Sequence, residues 1–328
     1  MKDCDKNISG TISVWIVFCF VALALLFSML LSSVEFGSYI IQLLIYAFLV
    51  GGVLVISRKK GVNAVERLQI KSKIHVINVF YVIAIGAGLL YFGSFFANFI
   101  YYAMEATGYT PIPNDISVNN IPELLLNIVF VSFLPAFCEE FIIRGSVFPS
   151  LKKSLSLNSA ILLSSLFFGI LHGSVVQFIH QFIVGIACCL LFTIGKSLWY
   201  PVILHAFNNG IALVLTYVQN ISGLGEESLT AVEFFSQDVI VGQVVLAVIG
   251  WFIAVFAFLA FLRRSERDIS EEYADQAIEK SISQRIKAFD EAKEQKVKSS
   301  GVEKLLFVVA IFVCIVMIGL DLIGGYLL

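Results

Sequence analysis

The chain has 328 residues, of which 59% are hydrophobic and 14% charged, with a formal net charge of −2. A mean hydropathy of +0.91 lies outside the range of soluble domains and excludes a soluble globular enzyme, while the near-neutral charge argues against a nucleic-acid partner. The six cysteines sit in apolar segments and the N-terminal tail without paired CxxC spacing, so neither a disulfide framework nor a structural zinc site is indicated.

Crossing a hydrocarbon core of about 30 Å takes about 20 helical residues. Suitable apolar runs lie near 11–32, 36–56, 75–103, 121–149, 157–172, 175–195, 198–219, 239–262 and 304–328. The first is long for a signal-sequence core and lacks a small-x-small cleavage site, so it is expected to be a retained helix. The 157–172 run is short, and only Gly173-Ser174 separates it from the next, which predicts either a tight hairpin or one bent element. The expected fold is all-α: a polytopic membrane helix bundle with eight or nine transmembrane helices.

Loop charges orient this bundle. Arg58, Lys59, Lys60, Arg67, Lys71 and Lys73 crowd the segment after the second run, whereas the segment after the third has Glu105 and Asp115 and no base. The positive-inside rule makes the first of these cytoplasmic. Lys152, Lys153, Lys196, Arg263, Arg264 and Arg267 then fall on the same side, and the acidic loop with Glu226, Glu227, Glu233 and Asp238 on the other. The N-terminus is therefore expected inside, and nine helices with an external C-terminus are the first choice. The chain divides into helices one to three (1–120), a polar-motif core (121–220), an external loop with helix eight (221–262), a charged segment (263–303) and a last helix (304–328). The charged segment reads as a solvated cytoplasmic helix, with Ile278, Ile282, Ile286 and Phe289 at the spacing of an apolar stripe. Asp321 reads as an interfacial residue of the last helix. No internal repeat relates two halves, which weakens a case for the repeated architecture of secondary transporters.

The informative departure from apolarity is Cys138-Glu139-Glu140-Phe141-Ile142-Ile143-Arg144, inside the 121–149 run. Charges at such depth are expensive and mark functional sites by default. Glu140 precedes Arg144 by four residues, the favourable order for an ion pair on one helix face. Glu139 points about 100° away and has no complementary charge nearby in sequence, which suits a general base. Pro135 removes a backbone donor one turn earlier and is expected to free the carbonyl of Val131 and bend the helix. A thiol mechanism through Cys138 is weaker, because nothing nearby in sequence would activate it.

Two further pairs lie on later apolar segments. Phe168 lies one turn behind His172, where its ring could shield or orient the imidazole, and His205 and Asn209 share a face of a helix opened by Pro201. The latter two side chains can donate towards one point, as an oxyanion site requires; Asn208 competes on spacing alone. At 1.5 Å per residue the expected helix ends put Glu139 about 15 Å, His205 about 10 Å and His172 about 22 Å from the cytoplasmic side. Convergence then requires helix five to start later or tilt, or helix four to kink at Pro135. Gln177, His180 and Gln181 are further polar residues that could line a cavity on helix six, although a satisfied structural role is preferred for His180.

The ordered set Glu-Glu-xxx-Arg, Phe-xxx-His and His-xxx-Asn on successive apolar segments resembles the CPBP family of intramembrane proteases, also known as CAAX proteases or Abi proteins, over about 121–220. The resemblance implies that Glu139 activates a water with His172 as its partner, that His205 and Asn209 stabilise the oxyanion, and that Glu140 and Arg144 orient the site, with Phe168 supporting. It further implies hydrolysis of a peptide bond of a membrane-associated protein or peptide, no cofactor, no covalent intermediate, residence in the cell membrane and a site opening to the cytosol. The rival enzyme is a zinc-dependent protease using His172, His205 and Glu139, although the usual His-Glu-x-x-His signature is missing. Outside enzymes, the same polar residues could serve a proton-coupled transporter or a non-catalytic binding or immunity protein in the bilayer.

Overall fold

The computed structural model describes residues 37–59, 63–110, 118–222, 230–272 and, near the C-terminus, 318, 319, 322, 323, 325 and 326. The expected first helix, the bulk of the last one with Asp321, and residues 273–303 lie outside the described residues. Among the described residues there are helices and turns and no strand. In chain order the helices are α1 (Gly37–Lys59), the short α2 (Ala64–Arg67), α3 (Val76–Glu105), a composite α4 over 121–154, α5 (Leu157–Leu171), α6 (Val175–Gly195), α7 (Trp199–Ser222), the short α8 (Ala231–Phe234) and α9 (Gln237–Glu272).

Five helical spans are long and apolar enough to cross a membrane: Val76–Glu105, Ile121–Lys152, Val175–Gly195, Trp199–Ser222 and Gln237–Arg267. Two shorter apolar helices, Tyr39–Val55 and Leu157–Leu171, complete the described bundle. These are the expected runs, and the protein is a multi-pass all-α membrane protein. The 157–172 and 175–195 runs form a hairpin, because Gly173 takes a left-handed conformation (φ 65°) that a side chain would oppose. The expected break after residue 262 is absent: α9 runs on to Glu272 because its charged continuation contains no glycine or proline to stop it.

Helix α4 is not uniform. Its α-helical pieces Ile121–Asn127, Leu134–Ile142 and Phe148–Ser154 are joined by π-helical turns at Ile128–Phe133 and Ile143–Val147. In the first, the Leu134 amide bonds the Val129 carbonyl. Pro135 therefore falls in the first turn of a restarted α-helix rather than in the middle of one, where its missing donor costs least. Such turns insert an extra residue, rotate the downstream part of the helix, and recur at functional sites.

The main core joins Val82, Ile85 and Leu89 of α3 to Phe168 of α5, Val184 of α6, Leu204 of α7 and Ala254 of α9. Helices α3 and α9 touch through glycines: a Cβ on Gly250 would lie 2.6 Å from the Gly88 carbonyl oxygen. Lipid gives helices little hydrophobic reason to associate, so close packing of small residues supplies the contact. A second cluster links Ile45, Leu49 and Val53 of α1 to Phe141 and Ile142 of α4 and to Leu198 and Val202 beside the α6–α7 turn.

The segment between α1 and α3 covers that turn. Leu68 is fully buried and sits against Gly145, whose added Cβ would lie 3.1 Å from it. Trp199 Nε1 donates to the Ile70 carbonyl at 2.9 Å, Ser72 Oγ to the Lys196 carbonyl at 2.9 Å, and the His75 amide to the Tyr200 hydroxyl at 3.2 Å. The α6–α7 turn is thus sealed, with Ser197, Leu198 and Tyr200 buried.

These boundaries bring the polar residues level. Helix α4 continues to Ser154, fifteen residues beyond Glu139, and α5 starts at Leu157, fifteen residues before His172; both give about 22 Å of helix. His205 lies only six residues into α7, about 9 Å, so its meeting with Glu139 and His172 implies that the α6–α7 turn lies deeper in the bundle than the α4–α5 turn. No tilt of helix five is needed.

Candidate active site

Glu139 and Glu140, adjacent in sequence, face different surroundings. Glu140 is fully buried and pairs with Arg144, whose Nη1 donates to Oε1 at 3.0 Å while Nε lies 2.9 Å from Oε2. Arg144, also fully buried, sends Nη2 to the Gly185 carbonyl at 3.0 Å and lies over the Phe168 ring at 5.4 Å. This fork geometry is what a guanidinium offers and an ammonium does not. A side chain at Gly185 would press on Ser165 at 3.1 Å and on Phe168 at 3.3 Å, so the glycine keeps both the carbonyl and the ring in place.

Glu140 has a second partner. Its Oε1 lies 3.2 Å from Nδ1 of His205, which is 1% exposed. That contact anchors one ring nitrogen and leaves Nε2 buried with no hydrogen-bond partner among the described residues. His172, the residue that closes α5, places Nδ1 2.9 Å from the Phe168 carbonyl. Phe168 meets both imidazoles edge-on, at centroid distances of 4.9 Å for His172 and 5.3 Å for His205. The expected shielding role of Phe168 thus extends to both histidines.

Glu139 is half-buried and faces a cavity of about 590 Å³. Single ligand-type atoms of Glu139, His172 and His205 lie within 4.8 Å of one another. Asn209 lines the same cavity, as do Gln177, His180 and Gln181 of α6; the His180 ring packs against Gly93, where a Cβ would collide with it. Asn208 also borders the cavity, but it is buried and one hydrogen of its Nδ2 is given to the Leu204 carbonyl at 3.1 Å. Cys138 is buried and is not among the residues lining the cavity. Helices α4 and α7 are drawn together at the first π-turn, where Ser132 Oγ donates to the Ala206 carbonyl at 2.7 Å.

One site residue escaped the sequence reading. Tyr46 of α1, almost fully buried, donates its hydroxyl to Glu139 Oε1 at 2.7 Å. Glu139 does lack a complementary charge nearby in sequence, yet it has this neutral donor from a helix outside the motifs. The available signal was weak: Gln42 and Tyr46 are polar groups four apart on one face of an apolar run, and both border the cavity.

Residues 121–211 match the family model for type II CAAX prenyl endopeptidase Rce1-like proteins. The match supports the CPBP, or CAAX-protease, reading of this core. No match was found among curated proteins or solved structures. The matched segment contains every polar residue of the CPBP core described above except Tyr46 and Gln42, which α1 supplies from outside it.

Proposed function

We propose that the protein is an intramembrane endopeptidase in which Glu139 activates a water for attack on a peptide bond. The observation that carries this reading is the convergence of Glu139, His172 and the buried His205 within 4.8 Å of one another, with Glu139 and His172 lining the cavity. With Nδ1–H of His172 given to the Phe168 carbonyl, its Nε2 is an acceptor, as is the Glu139 oxygen not held by Tyr46. Two acceptors hold the two protons of a water and direct its lone pair outward. His205 is anchored through Nδ1 on Glu140 and offers Nε2 as the donor to the carbonyl oxygen; Asn209 supplies an amide donor beside it. Acceptors on the water and donors on the carbonyl oxygen are the division a hydrolytic site requires.

The water oxygen attacks the scissile carbon as its proton passes to Glu139, and the oxyanion is held by His205 and Asn209. Collapse breaks the C–N bond, and Glu139 returns the proton to the leaving amine. Glu140, Arg144 and Phe168 orient the histidines and make no contact with substrate. The substrate is a membrane-associated protein or peptide.

Zinc held by Glu139, His172 and His205 is the second reading, because the three could in principle form a ligand set. Bond lengths of about 2.1 Å would place tetrahedral ligands about 3.4 Å apart, whereas hydrogen bonds of about 2.8 Å to a shared water place them about 4.6 Å apart. The three separations are bounded at 4.8 Å, which leaves room for a water, and any pair near that bound would have to contract for zinc.

The test is a comparison of new protein termini in membranes carrying the wild-type chain or Glu139→Gln, with the variant also used to trap substrate. Termini that appear only with wild type are expected. Identical termini in both, with partner binding or transport persisting, would overturn the proposal in favour of a binding or transport protein.

A further inference from the structure

The resemblance to CAAX proteases implies a site facing the cytosol, but the direction in which the cavity runs argues otherwise. Each helix can be divided into the half near the cationic loops and the half remote from them. The cationic end is marked by Arg58, Lys71, Lys73, Lys152, Lys196 and Arg263, and the opposite end by Glu105, Glu123, Glu233 and Asp238. The cavity extends from Glu139, near the middle of α4, towards the second group. It is bordered by Tyr46 in the first half of α1, Ser94 in the second half of α3, Val131 in the first half of α4, Gln177 in the first turn of α6 and Thr216 towards the end of α7. Val118, which borders it too, precedes α4 altogether at the acidic end. By chain direction, each of these positions belongs to the half remote from the cationic loops.

At the cationic end, the described 63–75 segment lies across the α6–α7 turn, with its own Leu68 and the turn's Leu198 buried in one cluster and three hydrogen bonds fixing it there. A peptide arriving from that side would have to displace this packed segment to reach Glu139.

The cavity wall also carries chemical information. Gln42, Ser94, Gln177, Gln181, Asn209 and Thr216 give it neutral amides and hydroxyls, and no lysine or arginine is among its lining residues. Among the described residues, Glu139 is the one carboxylate on the wall. Amides and hydroxyls pair with peptide N–H and C=O groups, whereas a chain-terminal carboxylate would meet Glu139 without a cation to offset it.

We propose that the Glu139 cavity opens on the face of the membrane opposite the cationic loops, which is the external face when those loops are cytoplasmic, and receives an extended, uncharged stretch of polypeptide there. The side of access rests on geometry and loop charge alone, and the substrate class also rests on the proteolytic reading.

The experiment uses the full chain in intact cells, with Gln177→Cys, Thr216→Cys and Lys71→Cys made singly and wild-type labelling as the baseline. The probe is a membrane-impermeant sulfonated maleimide, applied before and after permeabilisation. The cavity positions should label in intact cells, and Lys71→Cys only after permeabilisation. Cavity cysteines that label only after permeabilisation, or never, would overturn the side of access; so would Lys71→Cys labelling from outside. The Glu139-dependent termini should map to externally exposed, uncharged segments of their substrates. Mapping to cytosolic segments or to residues next to a chain-terminal carboxylate would overturn the substrate class. Absence of Glu139-dependent termini would remove the proteolytic reading and the substrate class with it, while the labelling result would still decide the side.

Discussion

Arg144→Ala is expected to cost the protein its stability as well as its activity. Arg144 is fully buried, pairs through two nitrogens with a fully buried Glu140, donates to the Gly185 carbonyl and covers the Phe168 ring. Removing one member of a buried pair leaves an uncompensated charge, at a cost of about 3–5 kcal/mol. That amounts to roughly two to four orders of magnitude in the unfolding equilibrium. The fully buried Cys188 and Cys189 provide the assay: a thiol-reactive fluorophore added to purified protein in mild detergent reports their exposure on heating. Arg144→Ala should unfold well below wild type. Glu140→Leu with Arg144→Met should recover much of the loss, because replacing a whole buried pair by apolar groups is often neutral or stabilising. The double variant should nevertheless remain inactive, since His205 Nδ1 would have lost its Glu140 acceptor. Arg144→Ala as stable and active as wild type would refute the division of the carboxylates into a supported Glu140 and a separate Glu139.

Glu139→Gln should abolish cleavage yet unfold within about 1 kcal/mol of wild type, because the Tyr46 hydroxyl can donate to an amide oxygen as it does to the carboxylate; a large stability loss would make Glu139 structural. Tyr46→Phe removes a hydrogen bond to a charged group worth about 1.5–3 kcal/mol, so kcat should fall by about tenfold or more with KM unchanged; an unaltered kcat would separate Tyr46 from the chemistry. Purified protein should contain no stoichiometric zinc and retain activity under chelation, and tightly bound metal with chelation-sensitive cleavage would establish the zinc reading. Gly88→Ile should loosen α3 from α9, since an added Cβ would already lie 2.6 Å from the Ala254 amide nitrogen; overpacking of this kind costs about 1–3 kcal/mol, and thermal unfolding unchanged from wild type would refute that contact.

The site was legible in part because intramembrane polar groups are few. Against runs of leucine, isoleucine and phenylalanine, Glu139, Glu140, Arg144, His172, His205 and Asn209 stand out without any tertiary information. The Glu140–Arg144 pair followed from helical spacing, and the structure contains it. Tyr46 was missed because its hydrogen bond to Glu139 spans 93 positions in the chain, and no local period reveals such a contact. His205 was expected only as a donor beside Asn209, and its anchoring on Glu140 depends on how α7 packs against α4.

The sequence by itself determined that this is a helical membrane protein, where its apolar runs fall, which loops are cationic, and which polar residues stand inside the apolar runs. Those properties follow from bilayer thickness, loop charge and the cost of burying polar groups, all of which act locally along the chain. Only the tertiary structure decided how the residues meet. It placed two π-turns in α4, carried that helix on to Ser154, ended α5 just before His172 and sank the α6–α7 turn beneath the 63–75 segment. It also decided which half of the bundle is hollow, because a cavity is the space that packed side chains from several helices leave between them, and no single helix encodes it.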